Sequence, residues 1–264
     1  MRKFKLFLLL IALIAIVSCT KKADDEQPDV NIEVLQKDYM KWWVYYNERI
    51  NLSSDFIAID HSSNKITKGI FLNSLTTGKY IPVRLITKDT TKIYYKLIQL
   101  NQSTNNNIKE AIKNVALTEN EHFKMEGQKF PGFSFTDLNG KLYTNENTLG
   151  KIVVLKCWFI RCHACVAEFP ELNEIVNRYK NRNDIVFVSL AFDKEADLRT
   201  FLPTKSFNYA TVSCPQSYLQ DTLMVHAYPT HFIIDKNGII VKVVNKAVRL
   251  NSVLANAMKA DIPV

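Results

Sequence analysis

The second half of the chain alternates dense apolar runs with segments of helical spacing. Dense runs predict buried strands, and apolar residues three or four positions apart predict amphipathic helices. The pattern predicts strands at 151–159, 185–192, 209–213, 230–234 and 239–244, with helices at 168–179, 193–202, 216–226 and from 245 to 259. A hairpin with an Asn139-Gly140 turn precedes them. This alternation predicts an α/β fold with helices on both faces of the sheet, and the Asn237-Gly238 turn makes the last strand pair antiparallel.

The first half of the chain has a different pattern and predicts a smaller α+β unit. Apolar spacings predict a helix over 31–50, and alternation between 56 and 100 predicts antiparallel strands. Asn105 to Asn107 can cap a further helix that runs toward Phe123. We therefore predict an N-terminal unit at 31–124, in which no catalytic constellation is visible, and a second domain at 125–264.

The N-terminus has the pattern of an export signal rather than of a folded element. A short basic stretch is followed by an unbroken apolar run at 6–17, which is too short to span a bilayer. The run ends in Ile16-Val17-Ser18-Cys19, which resembles a bacterial lipobox. We predict a signal peptide at 1–18, lipidation of Cys19 and a polar tether at 19–30, with surface exposure of the protein left open. An ordinary signal peptide with an incidental cysteine is the alternative.

Composition excludes one class of partner. The net charge of +8 is spread along 264 residues, without a basic run interleaved with aromatic side chains. Such a distribution is typical of a solvated basic surface, so we expect no nucleic-acid binding.

The candidate chemistry lies in Cys162-His163-Ala164-Cys165, directly after a predicted buried strand and at the start of the next helix. Unpaired N–H groups at a helix start stabilise an anion and lower the pKa of a thiol. Cys162 is thus predicted to be the attacking thiolate and Cys165, one turn further in, the resolving thiol.

A structural zinc site would need a second Cys or His pair, and none has suitable spacing. A peroxidatic cysteine would need a Thr or Ser three residues earlier, where Phe159 stands.

The segment IVVLKCWFIRCHACVAEFPEL at 152–172 resembles the active site of the TlpA/ResA group of thioredoxin-like reductases. The resemblance extends through Ala227-Tyr228-Pro229-Thr230 and Asp235-Lys236-Asn237-Gly238, and covers about 126–262. It implies a thioredoxin-like fold with a central mixed sheet, and a redox disulfide between Cys162 and Cys165. It also implies a cis-proline at Pro229, with substrate binding at Tyr228, Pro229 and Thr230. Glu168 is then the carboxylate that handles protons for the resolving thiol.

Three positions depart from that group and predict tuning of thiol pKa values. Lys156 lies on a central strand where an Asp or Asn is usual, and a charge buried alone is costly. We therefore hypothesise that Lys156 pairs with Glu168, the alternative being that it reaches solvent at the strand edge. Arg161 and His163 add positive charge beside the thiolate, unless they simply face water.

Two further cysteines lie outside the motif. Cys157 replaces a usual Phe, so we expect a buried and inert thiol. Cys214 is either buried or a spare thiol in an oxidising compartment.

Together these features predict an extracytoplasmic, membrane-anchored thiol-disulfide oxidoreductase that reduces protein disulfides, in a role such as cytochrome c maturation. Its partners are a disulfide-containing protein, an electron-donating thiol-disulfide partner and a membrane contacted through the lipid anchor, and no cofactor or metal is expected. Two alternatives remain. One is a binding or sensing lipoprotein that uses the fold as a scaffold, and the other is a disulfide oxidase or isomerase.

Overall fold

The computed structural model describes residues 27–260, with the side chains of residues 27–255. The predicted signal peptide, Cys19 and the tether up to residue 26 lie outside the described residues. Within the described part of the chain, no helix combines the length and apolarity needed to cross a membrane.

The first part of the chain forms a five-stranded sheet in the order β1-β4-β5-β2-β3, with helices packed on it. The elements, in chain order, are β1 (Gln27–Pro28), α1 (Ile32–Lys37), α2 (Tyr39–Arg49), β2 (Ile57–Ile59), β3 (Lys65–Ile66), α3 (Lys68–Leu75), β4 (Tyr80–Ile86), β5 (Tyr94–Gln99) and α4 (Asn106–Met125). The Asn105 side chain accepts a hydrogen bond from the Asn107 amide, so the predicted cap of α4 is confirmed.

Several details of this unit differ from the prediction. The helix expected over 31–50 is two helices, because Asp38 is extended and its carboxylate caps α2. Helix α3 was not predicted, although Phe71, Leu72 and Leu75 have helical spacing and are fully buried. Strand β2 pairs with β5 in parallel, not antiparallel.

The end of the predicted tether is also part of the fold. Strand β1 pairs with β4, and Asp29 accepts hydrogen bonds from Tyr45 and Arg49. The tether therefore cannot extend to residue 30, since its last residues complete this sheet.

The second part of the chain contains a two-stranded and a five-stranded sheet. Its elements are β6 (Ser134–Thr136), β7 (Leu142–Thr144), α5 (Asn145–Thr148), β8 (Ile152–Trp158), α6 (His163–Ala167), α7 (Phe169–Tyr179), β9 (Ile185–Ala191), α8 (Glu195–Phe201), β10 (Ala210–Ser213), β11 (Thr230–Ile234), β12 (Ile240–Val244) and α9 (Ala247–Ala260). The strand order is β10-β9-β8-β11-β12, with β8 to β10 parallel and β11 antiparallel to both of its neighbours. This arrangement confirms the predicted thioredoxin-like fold with a central mixed sheet.

The helix predicted at 216–226 is absent, and a single π-helical turn at Tyr218–Thr222 stands there. The chain cannot continue as a helix because Met224 has a positive φ of 54°. The buried Leu219, Leu223 and Val225 gave the apolar spacing that suggested a helix. Helix α8 is shorter than the predicted 193–202, and a 3₁₀ turn at Leu202–Thr204 follows it.

Candidate active site

The two motif cysteines lie where β8 delivers the chain to α6. Cys162 is the N-cap of α6, and its sulfur accepts a hydrogen bond from the Cys165 amide at 3.2 Å. The two residues form a disulfide with their Cα atoms 5.2 Å apart. Cys162 is 8% exposed and Cys165 is fully buried, so an incoming sulfur can reach only the first of them.

The helix breaks at Glu168, one helical turn after Cys165. Helix α6 ends at Ala167 and α7 begins at Phe169, with Glu168 between them. Pro170 has no N–H to continue the hydrogen-bond ladder, which explains why the helix that opens at the motif is interrupted before α7. The Glu168 side chain, only 15% exposed, turns into the protein.

The hypothesised contact between Lys156 and Glu168 is present. Lys156 Nζ lies 2.9 Å from Glu168 Oε2, and the Lys156 side chain has no exposed surface. Lys156 therefore does not reach solvent at a strand edge. Burial lowers the pKa of the Lys156 amine, and the Glu168 carboxylate opposes that effect. An effect of this pair on the cysteine thiols stays a prediction.

Two further groups bind the same carboxylate, and the sequence reading missed both. His231 Nε2 lies 3.0 Å from Glu168 Oε2, and the Ala247 amide at the start of α9 donates to Glu168 Oε1 at 2.9 Å. His231 is the cross-strand partner of Lys156 in the β8–β11 register. His231 lies two residues after the predicted cis-proline, on the strand predicted at 230–234, and this position was a signal for the contact.

The contacts decide the charge states of this cluster. Burial by itself raises the pKa of Glu168, but the hydrogen bond from His231 and the charge of Lys156 outweigh it and lower the pKa to about 2. Burial lowers the pKa of His231, so its ring is neutral at pH 7. Because a carboxylate can only accept, the His231 Nε2 must carry the proton and donate it to Glu168. Glu168 is thus an anion with donors on both oxygens.

The loop opposite the dithiol contains the predicted cis-proline. The Tyr228-Pro229 peptide is cis, and Tyr228 packs against the apolar cluster that contains both motif cysteines. Thr230, by contrast, is fully buried, and its hydroxyl donates to the Ala227 carbonyl at 2.7 Å. The Thr230 side chain therefore closes the loop, and substrate binding at Thr230 through its backbone stays a prediction.

The remaining sequence candidates divide by exposure. Arg161 and His163 are exposed beside the dithiol. Cys157 is fully buried, and burial raises the pKa of its thiol. Cys214 is buried too, and burial raises its pKa to about 12. Neither free thiol is primed to react. Among the described residues, no three His, Cys, Asp or Glu side chains are grouped to hold a metal.

A CxxC disulfide at a helix start, facing a cis-proline on a thioredoxin-like sheet, defines a thiol-disulfide oxidoreductase. Residues 126–243 match the model of the AhpC/TSA family. Thiol-disulfide oxidoreductase ResA of Bacillus cereus is 29% identical over 116 residues, which are 44% of this chain and 67% of that protein. ResA of Bacillus subtilis is 32% identical over 120 residues, 45% of this chain and 66% of the relative.

Solved structures cover about half of the chain. The solution structure of a thiol:disulfide interchange protein from Bacteroides sp. has a TM-score of 0.45 at 21% identity, covering 50% of this chain and 88% of that one. The sequence matches confirm the predicted resemblance to ResA-like proteins. The chain is a protein thiol-disulfide oxidoreductase, and its residues 31–124 lie outside the matched region.

The buried pair makes a prediction about stability. Glu168→Gln leaves Lys156 buried without a counter-charge, so we expect a loss of about 3 kcal/mol in the free energy of unfolding at pH 7. Adding Lys156→Met to that variant removes the unpaired charge and restores about half of the loss. Urea unfolding of wild type, both single variants and the double variant measures the coupling. If the loss of unfolding free energy in the double variant equals the sum of the losses in the two single variants, the result would contradict a charge pair.

The same variants predict the pH dependence. The folded pKa of Glu168 is about 2, below an unfolded value of about 4.3. Its contribution to stability is therefore fully present above the unfolded pKa and is lost as the pH falls toward 2. The cost of Glu168→Gln should shrink steadily between pH 5 and pH 3, and a cost that stays constant over that window would be inconsistent with these contacts.

Proposed function

We propose that this protein is a lipid-anchored, extracytoplasmic reductase of protein disulfides. The observation that carries the proposal is the asymmetry of the dithiol, with Cys162 8% exposed and Cys165 without exposed surface. The more accessible thiol can attack a substrate, while the shielded neighbour resolves the mixed disulfide without being captured itself.

The reaction needs only the two cysteines and a substrate disulfide. The Cys162 thiolate attacks one substrate sulfur, forms a mixed disulfide and releases the other substrate sulfur, which takes up a proton. Cys165, losing its proton, then attacks Cys162 Sγ and releases the second substrate thiol. Two electrons pass to the substrate, and the Cys162–Cys165 disulfide seen here is the product form. An external dithiol partner must reduce it before the next cycle.

The surroundings of the dithiol support the reducing direction. A strongly oxidising protein needs a heavily stabilised thiolate in its reduced form. Here the Cys162 sulfur accepts one amide hydrogen bond, and the side chains of Arg161 and His163 stand in water, where a charge acts weakly. We therefore place the reduction potential nearer to thioredoxin, about −270 mV, than to DsbA, about −120 mV.

The substrate segment should lie along the cis-proline loop. Pro229 offers no N–H, so the Tyr228 backbone is left to pair with an extended chain. Phe159, Phe192 and Tyr228 form a partly exposed aromatic cluster there, with ring centroids 4.8 to 5.8 Å apart. This cluster favours an apolar residue next to the target cysteine.

Anchoring through Cys19 rests on the sequence pattern. The apolar run and the lipobox-like Ile16-Val17-Ser18-Cys19 support export and diacylation. The basic-to-acidic tether up to residue 26 then leads to β1, where the fold begins.

Insulin reduction tests the activity. With dithiothreitol as electron donor, the full chain in detergent should accelerate insulin precipitation, and Cys162→Ser should lose the activity by about a hundredfold or more because the attacking sulfur is gone. Cys165→Ser should instead accumulate a mixed disulfide, visible on a non-reducing gel. The matched control, Cys214→Ala, removes a buried thiol outside the motif and should turn over like wild type.

The outcomes separate the alternatives. Equal turnover by wild type and Cys162→Ser, or none by either, would contradict the reductase and leave the binding or sensing lipoprotein. A potential close to that of DsbA, measured by equilibration with glutathione, would assign an oxidase.

Lipidation has its own test. In a bacterial host fed a labelled fatty acid, the full chain should incorporate label and partition into the detergent phase of Triton X-114. Cys19→Ala should do neither, since the thioether acceptor is missing. Label retained by Cys19→Ala would contradict lipidation at Cys19, but it would not bear on the proposed disulfide reduction.

A further inference from the structure

The unit at 31–124 contacts the redox domain at the first turn of α9. Arg249 Nη1 lies 3.1 Å from Glu119 Oε1 on α4, and Arg249 Nη2 donates to the Ile50 carbonyl at 3.1 Å. Both side chains are buried, with exposed fractions of 7% and 2%. A charge pair this well shielded from water fixes the position of its partners, because either charge alone would be costly to bury.

A second contact holds the residue just before α9. Lys246 Nζ donates to Asn47 Oδ1 on α2 at 2.6 Å. Lys246 and Arg249 thus attach the same helical turn to two different helices of the N-terminal unit, α2 and α4. Two contacts fix both the position and the orientation of this turn, whereas a single contact would leave it free to rotate.

Between these two anchors stands the amide that binds Glu168. Ala247 N donates to Glu168 Oε1 at 2.9 Å, and Glu168 follows Cys165 by one helical turn. A continuous series of contacts therefore runs from Glu119 and Asn47, through the first turn of α9, to the carboxylate behind the dithiol.

We propose that the N-terminal unit is a positioning element of the redox site, which holds the start of α9 against Glu168 and thereby sets the charge environment of Cys162 and Cys165. The positioning residues are Asn47 and Glu119 of the N-terminal unit and Lys246 and Arg249 at the start of α9. The inference rests on the proposed function for its biological meaning, but the contact it describes can be measured without turnover.

The groups around Glu168 give the direction of the effect. The titratable groups that interact with it are Lys156, His231, Tyr209, Lys246 and Glu171. Lys156 and His231 bind Oε2, whereas Oε1 is held by the α9 amide. Loosening that amide leaves more negative charge unneutralised behind the dithiol, which disfavours a thiolate.

The test uses Glu119→Leu combined with Arg249→Met, which removes both charges and so avoids leaving one buried alone. In the full chain in detergent, the Glu168 carboxyl carbon, assigned by ¹³C NMR against Glu168→Gln, should titrate roughly one pH unit higher than in wild type. The equilibrium of the dithiol with glutathione should move about threefold or more toward the disulfide, since the reduced form loses thiolate stabilisation.

Two more variants keep the result interpretable. Asn47→Ala removes the Lys246 contact together with a hydrogen bond from Asn47 to the Trp43 carbonyl within α2. It should move both readouts in the same direction by a smaller amount, even if the double variant folds poorly. Asp55→Ala is the matched control. It breaks a contact between the N-terminal unit and Lys242 on β12, at a side chain that is 96% exposed and not attached to α9. It should leave both readouts at the wild-type values.

Folded variants in which the Glu168 titration and the glutathione equilibrium both stay at wild-type values would overturn the inference. So would an equal shift in Asp55→Ala, because general loosening of the two units would then explain it. Failure of wild type to reduce insulin would instead count against the proposed function alone, since the Glu168 titration does not depend on turnover.

Discussion

The arrangement of the redox site depends on one buried carboxylate. Glu168 accepts from Lys156, His231 and the Ala247 amide, and these donors come from β8, β11 and α9. An ion in that position would be strongly destabilising without partners, so the surrounding elements must be held where their donors reach it. The break between α6 and α7 positions Glu168, and the antiparallel β8–β11 register positions Lys156 and His231 to bind it.

The contacts of Glu168 lead us to propose a role that differs from the proton handling implied by the resemblance. A carboxylate that accepts and returns protons near pH 7 needs a pKa close to neutrality. Donors on both oxygens lower the pKa of Glu168 to about 2, so it stays ionised while the thiols react. In this proposal its effect on Cys165 is electrostatic, and the proton lost by the resolving thiol passes to the departing substrate thiolate.

Much of the site could be predicted from sequence, because its signals are local or lie in a short motif. The CxxC pair follows a dense apolar strand, the cis-proline follows from the resemblance, and a lysine on a central strand requires a counter-charge. His231 and Ala247 were missed because their partner is 63 and 79 residues away, and only the folded register brings them to it. Thr230 was chosen from the motif alone, and the burial of its side chain leaves only its backbone for a substrate contact.

Local patterns also failed where tertiary context dominates. The apolar spacing at 216–226 suits a helix, but the positive φ of Met224 ends it after one π-helical turn. The contacts between the two units involve charged residues such as Glu119 and Arg249, whose burial no composition argument predicts.

The most direct test of this account is the ionisation of Glu168 in the wild-type protein. A ¹³C NMR titration of its carboxyl carbon, run on the oxidised and the dithiol forms, should show an anion in both states, with protonation only below about pH 3. Protonation of Glu168 between pH 6 and pH 8 in the dithiol form would contradict the account, because the carboxylate would then be exchanging protons with the thiols instead of standing as a fixed charge.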